Sequence, residues 1–318
     1  MAALAASSRE FRAMGSDCVV RIVVDDDRAE PILDRVEIRM RDLEQRWSRF
    51  IDSSELSQLN RHAGDPVFVS PEMFAVVALA IDAWRATDEL FDPTLLDVLR
   101  ELGYDETFDE LVDRAPFEIN ALSSSPGVLD EVVLDARSSL IHGPVGLHFD
   151  LGGIGKGHAA DLLFAQAMED GATGVCLDFG GDIRVGGETL EGDGWVIVID
   201  DPFHPGEDLA VLGLESGSVA TSSRMRRKWS TTNGEAHHLI DPKTAKPSQS
   251  GLTSVTVIAA HAAWGEAHAK AALIGGAIAG RTLLERAGLS GLLVADDGQL
   301  IAAGHFNDFV VKRPTLSS

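Results

Sequence analysis

Six short apolar runs follow one another through the second half of the chain: GVCLDF (174–179), WVIVID (195–200), AVLGLE (210–215), TSVTVIA (253–259), GLLVAD (291–296) and QLIAAG (299–304). Each has strand length and is bounded by glycine, aspartate or proline turns. CVVRIVV (18–24) reads as a further strand, and VVLDARSSLIHG (132–143) as a hairpin turning at Ala136–Ser139. Helices are fewer. Ile32, Leu33, Val36, Met40, Leu43 and Trp47 recur at helical spacing across 29–48, and Met73, Val77, Ile81 and Trp84 across 71–88. Two more are expected, over 157–170 with a stop at Gly171 and over the small-residue stretch 264–287. Strands that mostly succeed one another, with helices between groups of them, imply an α+β fold: a mixed sheet with flanking helices. The acidic, serine-rich segment 105–131 is expected to be the least structured.

A chain of 318 residues with 45% hydrophobic content can bury a sizeable core. Its net charge of −23 argues against a general role on nucleic acid or membrane surfaces, since both are polyanions. Only Cys18 and Cys176 occur, each in an apolar run, so buried thiols are expected rather than a disulfide framework or a metal site. Residues 1–11 read as an N-terminal tail, with no basic, long-apolar or lipidation signal. No run approaches the roughly 20 apolar residues of a membrane span. The expected location of the chain as given is cytoplasmic.

The stretch HFDLGGIGKGHAAD (148–161) crowds glycines around one lysine. A P-loop needs G-x-x-x-x-G-K-[ST]; Asp150 stands where the first glycine belongs and Gly157 where the hydroxyl belongs, so that reading fails. Residues 155–160 do fit the dinucleotide pattern G-x-G-x-x-A, with Asp178 near the distance of a ribose-binding acid. That oxidoreductase reading requires repeated βαβ units, which the strand-rich second half does not provide. Lys156 at a helix start suits an anion. Asp150 would be repelled by phosphate, so it is expected to face a sugar hydroxyl, a flavin edge or a metal.

SVATSSRMRRKW (218–229) reads as a small-residue turn followed by Arg224, Arg226, Arg227 and Lys228, a positive spot in an acidic chain. HHLIDPKTAKP (237–247) places His238 and Ile240 on one face of an extended segment and His237, Leu239 and Asp241 on the other. A zinc reading of His-His-x-x-Asp is poor, because no further ligand cluster has suitable spacing.

Taken in order, these stretches resemble the ApbE family, the FAD:protein FMN transferases. The likeness runs from about residue 12 to residue 276: FRAMGSD (11–17), WSRFIDSSELSQLN (47–60), LFDPTL (90–95), DLGGIGKGHAAD, FGGDIRVGG, VATSS and HHLIDPKT. The resemblance implies one transferase domain over 12–312, with FAD as substrate and Mg²⁺ as cofactor. It also implies transfer of FMN to a threonine or serine of a partner flavoprotein, with release of AMP. By the same resemblance FAD is contacted at Met14, Phe50, Leu90, Phe91, Asp92, Asp150, Lys156 and Ile240, with Phe50 where the family often has tyrosine. Gly153 aligns with a backbone carbonyl ligand of the metal. His238 and Asp241 are the candidates for deprotonating or orienting the acceptor hydroxyl.

The departure lies in WGEAHAKAALIGG (264–276), where the family pattern has an aspartate and a threonine as metal ligands. Here the aligned pair is Glu266 and Lys270. Glutamate can serve as an oxygen ligand; an ammonium has no acceptor. The two could pair at i,i+4, or Lys270 could contact phosphate. Within the same resemblance, an FAD-binding protein or FAD pyrophosphatase without transfer remains an alternative.

Overall fold

An antiparallel meander of eight strands keeps strict chain order: Leu4–Ala13, Ser16–Asp25, Gly174–Phe179, Asp182–Gly187, Gly217–Ser223, Leu252–Ala259, Ser290–Ala295 and Leu300–Ala303. It belongs to a computed structural model that describes residues 4–25, 28–112, 114, 128–192, 194–232 and 234–312. The chain divides into two compact units. The first comprises 1–41, 156–223 and 250–318, and the second 42–155 and 224–249.

In the first unit the strand Leu252–Ala259 is buried at every residue, its hydroxyl-bearing Thr253, Ser254 and Thr256 included. The helix Ala262–Arg286 packs on this strand and on its neighbours Gly217–Ser223 and Ser290–Ala295. A second sheet, Trp195–Asp200, Asp208–Leu214 and Val310–Lys312, joins the main sheet in one core. Ile197, Ile199, Leu212 and Leu214 meet Val185, Val219, Ile258 and Leu292 there. The helix Ala262–Arg286 is interrupted at Gly276, whose φ of 78° only glycine adopts without strain.

The second unit holds the helices Glu55–Arg61, Pro71–Ala86, Leu96–Glu101 and Phe108–Val112. The Ser70 hydroxyl accepts from the Met73 N–H at 3.2 Å, and Pro71 opens the helix it caps. Three short strands, Val67–Phe68, Leu140–His142 and Val133–Asp135, form its small sheet. Two hairpins, Lys228–Thr231 with Gly234–His237 and Ile240–Asp241 with Lys246–Pro247, complete it. Trp229 drops into the core with Leu99, Leu102 and Tyr104, and its indole N–H donates to the Leu102 carbonyl at 2.9 Å.

Several expectations change. Part of the tail read over 1–11 lies in the strand Leu4–Ala13, an edge strand whose alternating exposure tolerates polar residues. The small-residue start of 218–229, read as a turn, instead forms an interior strand, Gly217–Ser223, bonded on both sides. Cys18 is buried, but Cys176 is half-buried. Within 105–131, residues 108–112 are helical, while 113 and 115–127 lie outside the described residues. The dinucleotide reading loses its scaffold: the strand Gly174–Phe179 after the glycine-rich helix pairs antiparallel with both neighbours, so no parallel βαβ unit is built there. No helix among the described residues is long and apolar enough to cross a membrane.

Candidate functional site

The helix Gly155–Glu169 begins inside the glycine-rich stretch, two residues before the position read from sequence, so Lys156 lies in its first turn. The Lys156 ammonium is ion-paired with Asp182 and lies 3.1 Å from Glu266 Oε1. The Asp182 and Glu266 side chains are each only 5% exposed. Asp182 opens its strand directly after Gly180 and Gly181, at φ of 70° and 93°. That turn is pinned by the Gly181 N–H donating to Asp178 Oδ1 at 2.8 Å. Burial pushes the Asp182 carboxyl up to about 6; the Lys156 charge opposes this, Glu266 adds to it, and Lys270 opposes it.

A second helix closes on the first. The Gly157 N–H donates to Glu266 Oε2 at 2.9 Å. A Cβ at residue 157 would lie 2.5 Å from the Ala262 carbonyl oxygen, so only glycine permits the approach. In the other direction, the Ala262 and Ala263 N–H groups donate to the two Asp161 oxygens at 2.9 and 3.1 Å. Each helix thus supplies a carboxylate to the other's N-terminal donors. Arg184 Nε stands 3.2 Å from Asp161 Oδ1, with its guanidinium 4.0 Å over the Phe164 ring. Lys270 follows Glu266 by one turn of the same helix.

Met14 sits in the two-residue turn of the first hairpin, at φ 49° with Gly15 at 63°. Two positive φ values match the primed turn that right-twisted strands prefer. In the second unit, Leu90, Phe91 and Asp92 follow Asp88 and Glu89, both left-handed at φ 52° and 65°. Such paired strain in non-glycine residues concentrates at functional segments. Phe91 is buried, whereas Asp92 accepts from the Thr94 N–H at 2.7 Å and its hydroxyl at 2.6 Å. Burial raises the Asp92 carboxyl above its ordinary value, against those two hydrogen bonds.

Asp150 accepts from the Gly152 N–H at 2.8 Å and lies 3.7 Å from Arg49 Nε. Gly153 is buried in the turn that follows. Arg49 is 6% exposed and stacked, 4.3 Å from the Phe50 ring and 4.4 Å from the Tyr104 ring. Its Nη1 donates to the Tyr104 carbonyl at 2.8 Å, while Nη2 has no hydrogen-bond partner among the described residues. Phe50 itself is 37% exposed. Ile240 is buried in the core beside Trp229.

The adjacent histidines differ. His237 Nε2 faces the Ser248 carbonyl at 3.1 Å and Nδ1 accepts from the Leu239 N–H at 3.3 Å, so both nitrogens of a neutral ring are used. Burial depresses its pKa accordingly. His238 Nδ1 stands 3.2 Å from the Arg227 carbonyl, which can only accept; the proton is therefore on Nδ1 and Nε2 is the basic nitrogen. Asp241 Oδ1 accepts from the Lys243 N–H at 2.9 Å and Oδ2 from the Thr244 hydroxyl at 3.2 Å, holding the turn of its hairpin. Among the described residues no group of three or more histidine, cysteine or acidic side chains could hold a metal by itself.

The sequence model of the ApbE family matches residues 14–293. The chain belongs to the ApbE family. This ApbE-family chain is similar to the FAD:protein FMN transferase of Haemophilus influenzae, 28% identical over 238 residues, which cover 73% of this chain and 68% of that protein. It is also similar to the crystal structure of the ApbE protein from Thermotoga maritima, with a TM-score of 0.85 and 25% identity over 97% of this chain and 100% of that one. The flavin transferase ApbE from Vibrio cholerae shares the fold at a TM-score of 0.83, with 20% identity over 96% and 100% of the two chains.

Three residues of this ApbE-family chain escaped the reading by sequence. Asp182 follows two turn glycines; its signal was an acid directly after them and before an apolar strand. Asp161 stood inside the motif but without visible partner. Arg49 hid between Ser48 and Phe50, where the neighbouring aromatic drew attention.

Proposed function

We propose that this chain is an FAD:protein FMN transferase. The observation that carries the reading is the half-buried Lys156 ammonium held between the buried carboxylates of Asp182 and Glu266 at the start of a helix, in a chain of the ApbE family. A helix N-terminus with a lysine beside it is built for a phosphate group. The acceptor threonine or serine oxygen forms a bond to the flavin-side phosphorus of FAD. The bridging P–O bond breaks, AMP leaves with the bridging oxygen, and the hydroxyl proton passes to a base. His238, with Nε2 basic, takes that proton; Asp241 shapes the turn beside it. Lys156 receives the pyrophosphate, and Met14, Phe50, Leu90, Phe91, Asp92, Asp150 and Ile240 contact FAD.

The donor set suits a hard divalent cation in part. Asp182 and Glu266 present two carboxylates around one position that the ammonium holds, and Mg²⁺ is commonly bound by one or two carboxylates plus substrate phosphates. Asp182 and Glu266 would hold Mg²⁺; Lys270, lacking an acceptor, would not. Bound there, the ion supplies Lewis-acid polarisation of phosphoryl oxygen.

The test is incubation with FAD, Mg²⁺ and a flavin-accepting protein, followed by intact mass measurement and AMP assay. A flavin-mass adduct with equimolar AMP is expected. AMP without adduct replaces transfer by FAD hydrolysis, and lack of FAD binding by fluorescence overturns both.

A further inference from the structure

The Asp182 carboxylate lies within electrostatic reach of three other charged side chains: the Glu266 carboxylate and the ammoniums of Lys156 and Lys270. Lys156 touches both acids, and Lys270 lies one helical turn from Glu266. Their formal charges cancel, and the two acids are almost wholly buried. A divalent cation entering alone would place two uncompensated positive charges among them. The FAD pyrophosphate entering alone would add two negative ones. Together they leave the cluster neutral. The donor count agrees, because no third acidic, histidine or cysteine ligand completes a protein-only cage among the described residues.

We infer that Lys270 makes divalent-metal binding conditional on FAD, by completing the neutral cluster that excludes a lone cation. FAD draws the Lys156 ammonium onto its pyrophosphate, which uncovers the two carboxylates for the metal. By linkage, the metal tightens FAD by the same factor that FAD tightens the metal. Threonine at position 270 leaves the cluster with a net negative charge, so the metal then binds without waiting for FAD. This inference rests on the transferase reading and adds to it an order of assembly.

The experiment uses the whole protein at pH 8, with Mn²⁺ binding followed by electron paramagnetic resonance and FAD binding by flavin fluorescence. Wild type should bind Mn²⁺ about 10- to 100-fold more tightly with FAD than without, the usual span of such coupling. Lys270→Thr should bind Mn²⁺ without FAD at least about 10-fold more tightly than wild type. Lys270→Arg, which keeps the charge, should behave as wild type. Equal Mn²⁺ affinity with and without FAD in wild type, or no gain in Lys270→Thr, overturns the inference while leaving the transferase reading intact. Failure of wild type to bind FAD overturns both.

Discussion

The Gly157 N–H donates to Glu266 Oε2 at 2.9 Å, and four residues further along the first helix Asp161 returns the contact to Ala262 and Ala263. Two helices far apart in sequence therefore cap each other. The exchange fixes where Lys156 stands against Glu266, and hence the charge cluster on which the proposed chemistry depends.

Gly157→Ala should separate these helices. The new Cβ would meet Ala262 oxygen at 2.5 Å and Ala263 nitrogen at 2.6 Å, both backbone atoms that cannot rotate away. Overpacking of this kind costs about 1–3 kcal/mol. Thermal unfolding should show a lower midpoint together with weaker FAD binding; an unchanged midpoint would mean that the helices do not meet there.

Asp161→Ala removes both acceptors from the start of the Ala262–Arg286 helix and should cost roughly 1–2 kcal/mol, the range of a lost cap. Asp161→Asn keeps one acceptor oxygen and should fall between. Urea titrations of the three proteins give the order, and an Asn variant as unstable as Ala would show that charge rather than capping matters.

Asp182 has a distinct pH signature. Burial raises its carboxyl from 3.8 to about 6 in the folded protein. A raised carboxyl favours the folded state while protonated, so its contribution is present below 3.8 and is lost as pH rises through about 6. Relative to Asp182→Asn, wild type should therefore lose stability between pH 4 and pH 7. A constant difference across that range would contradict the assignment.

His238→Asn should slow transfer by about 10²–10⁴-fold, the contribution of general-base catalysis, while FAD affinity stays within about twofold. His237→Asn should instead lower the unfolding midpoint, since that ring bridges Ser248 and Leu239. Exchanged phenotypes would reverse the two roles.

Arg49→Lys keeps the charge but loses a planar group stacked between Phe50 and Tyr104 and the bond to the Tyr104 carbonyl. A loss of about 1–2 kcal/mol by chemical denaturation is expected.

Local periodicity carried much of the fold. The helices at 29–47 and 71–86, the hairpin turning at 136–139 and the late strands follow from apolar spacing and turn residues, because each is decided within a few residues of itself. Leu4–Ala13 was not legible: an edge strand needs little apolar sequence, and its partner supplies the hydrogen bonds. Gly217–Ser223 was hidden likewise, its small residues sized by the strands on either side.

The same division holds for the candidate site. The glycine-rich stretch, Lys156 and the His238 segment were visible as residue types that suit phosphate and proton transfer, and motif order pointed to the ApbE family. Sequence by itself thus determined the elements with clear apolar spacing, and the family. Only the tertiary structure decided that Asp182 and Glu266 share one ammonium, that Gly157 and Asp161 tie two helices together, and that Arg49 lies buried between rings. Those contacts join residues 26, 109, 101 and 55 positions apart, closed by packing and burial rather than by any local preference.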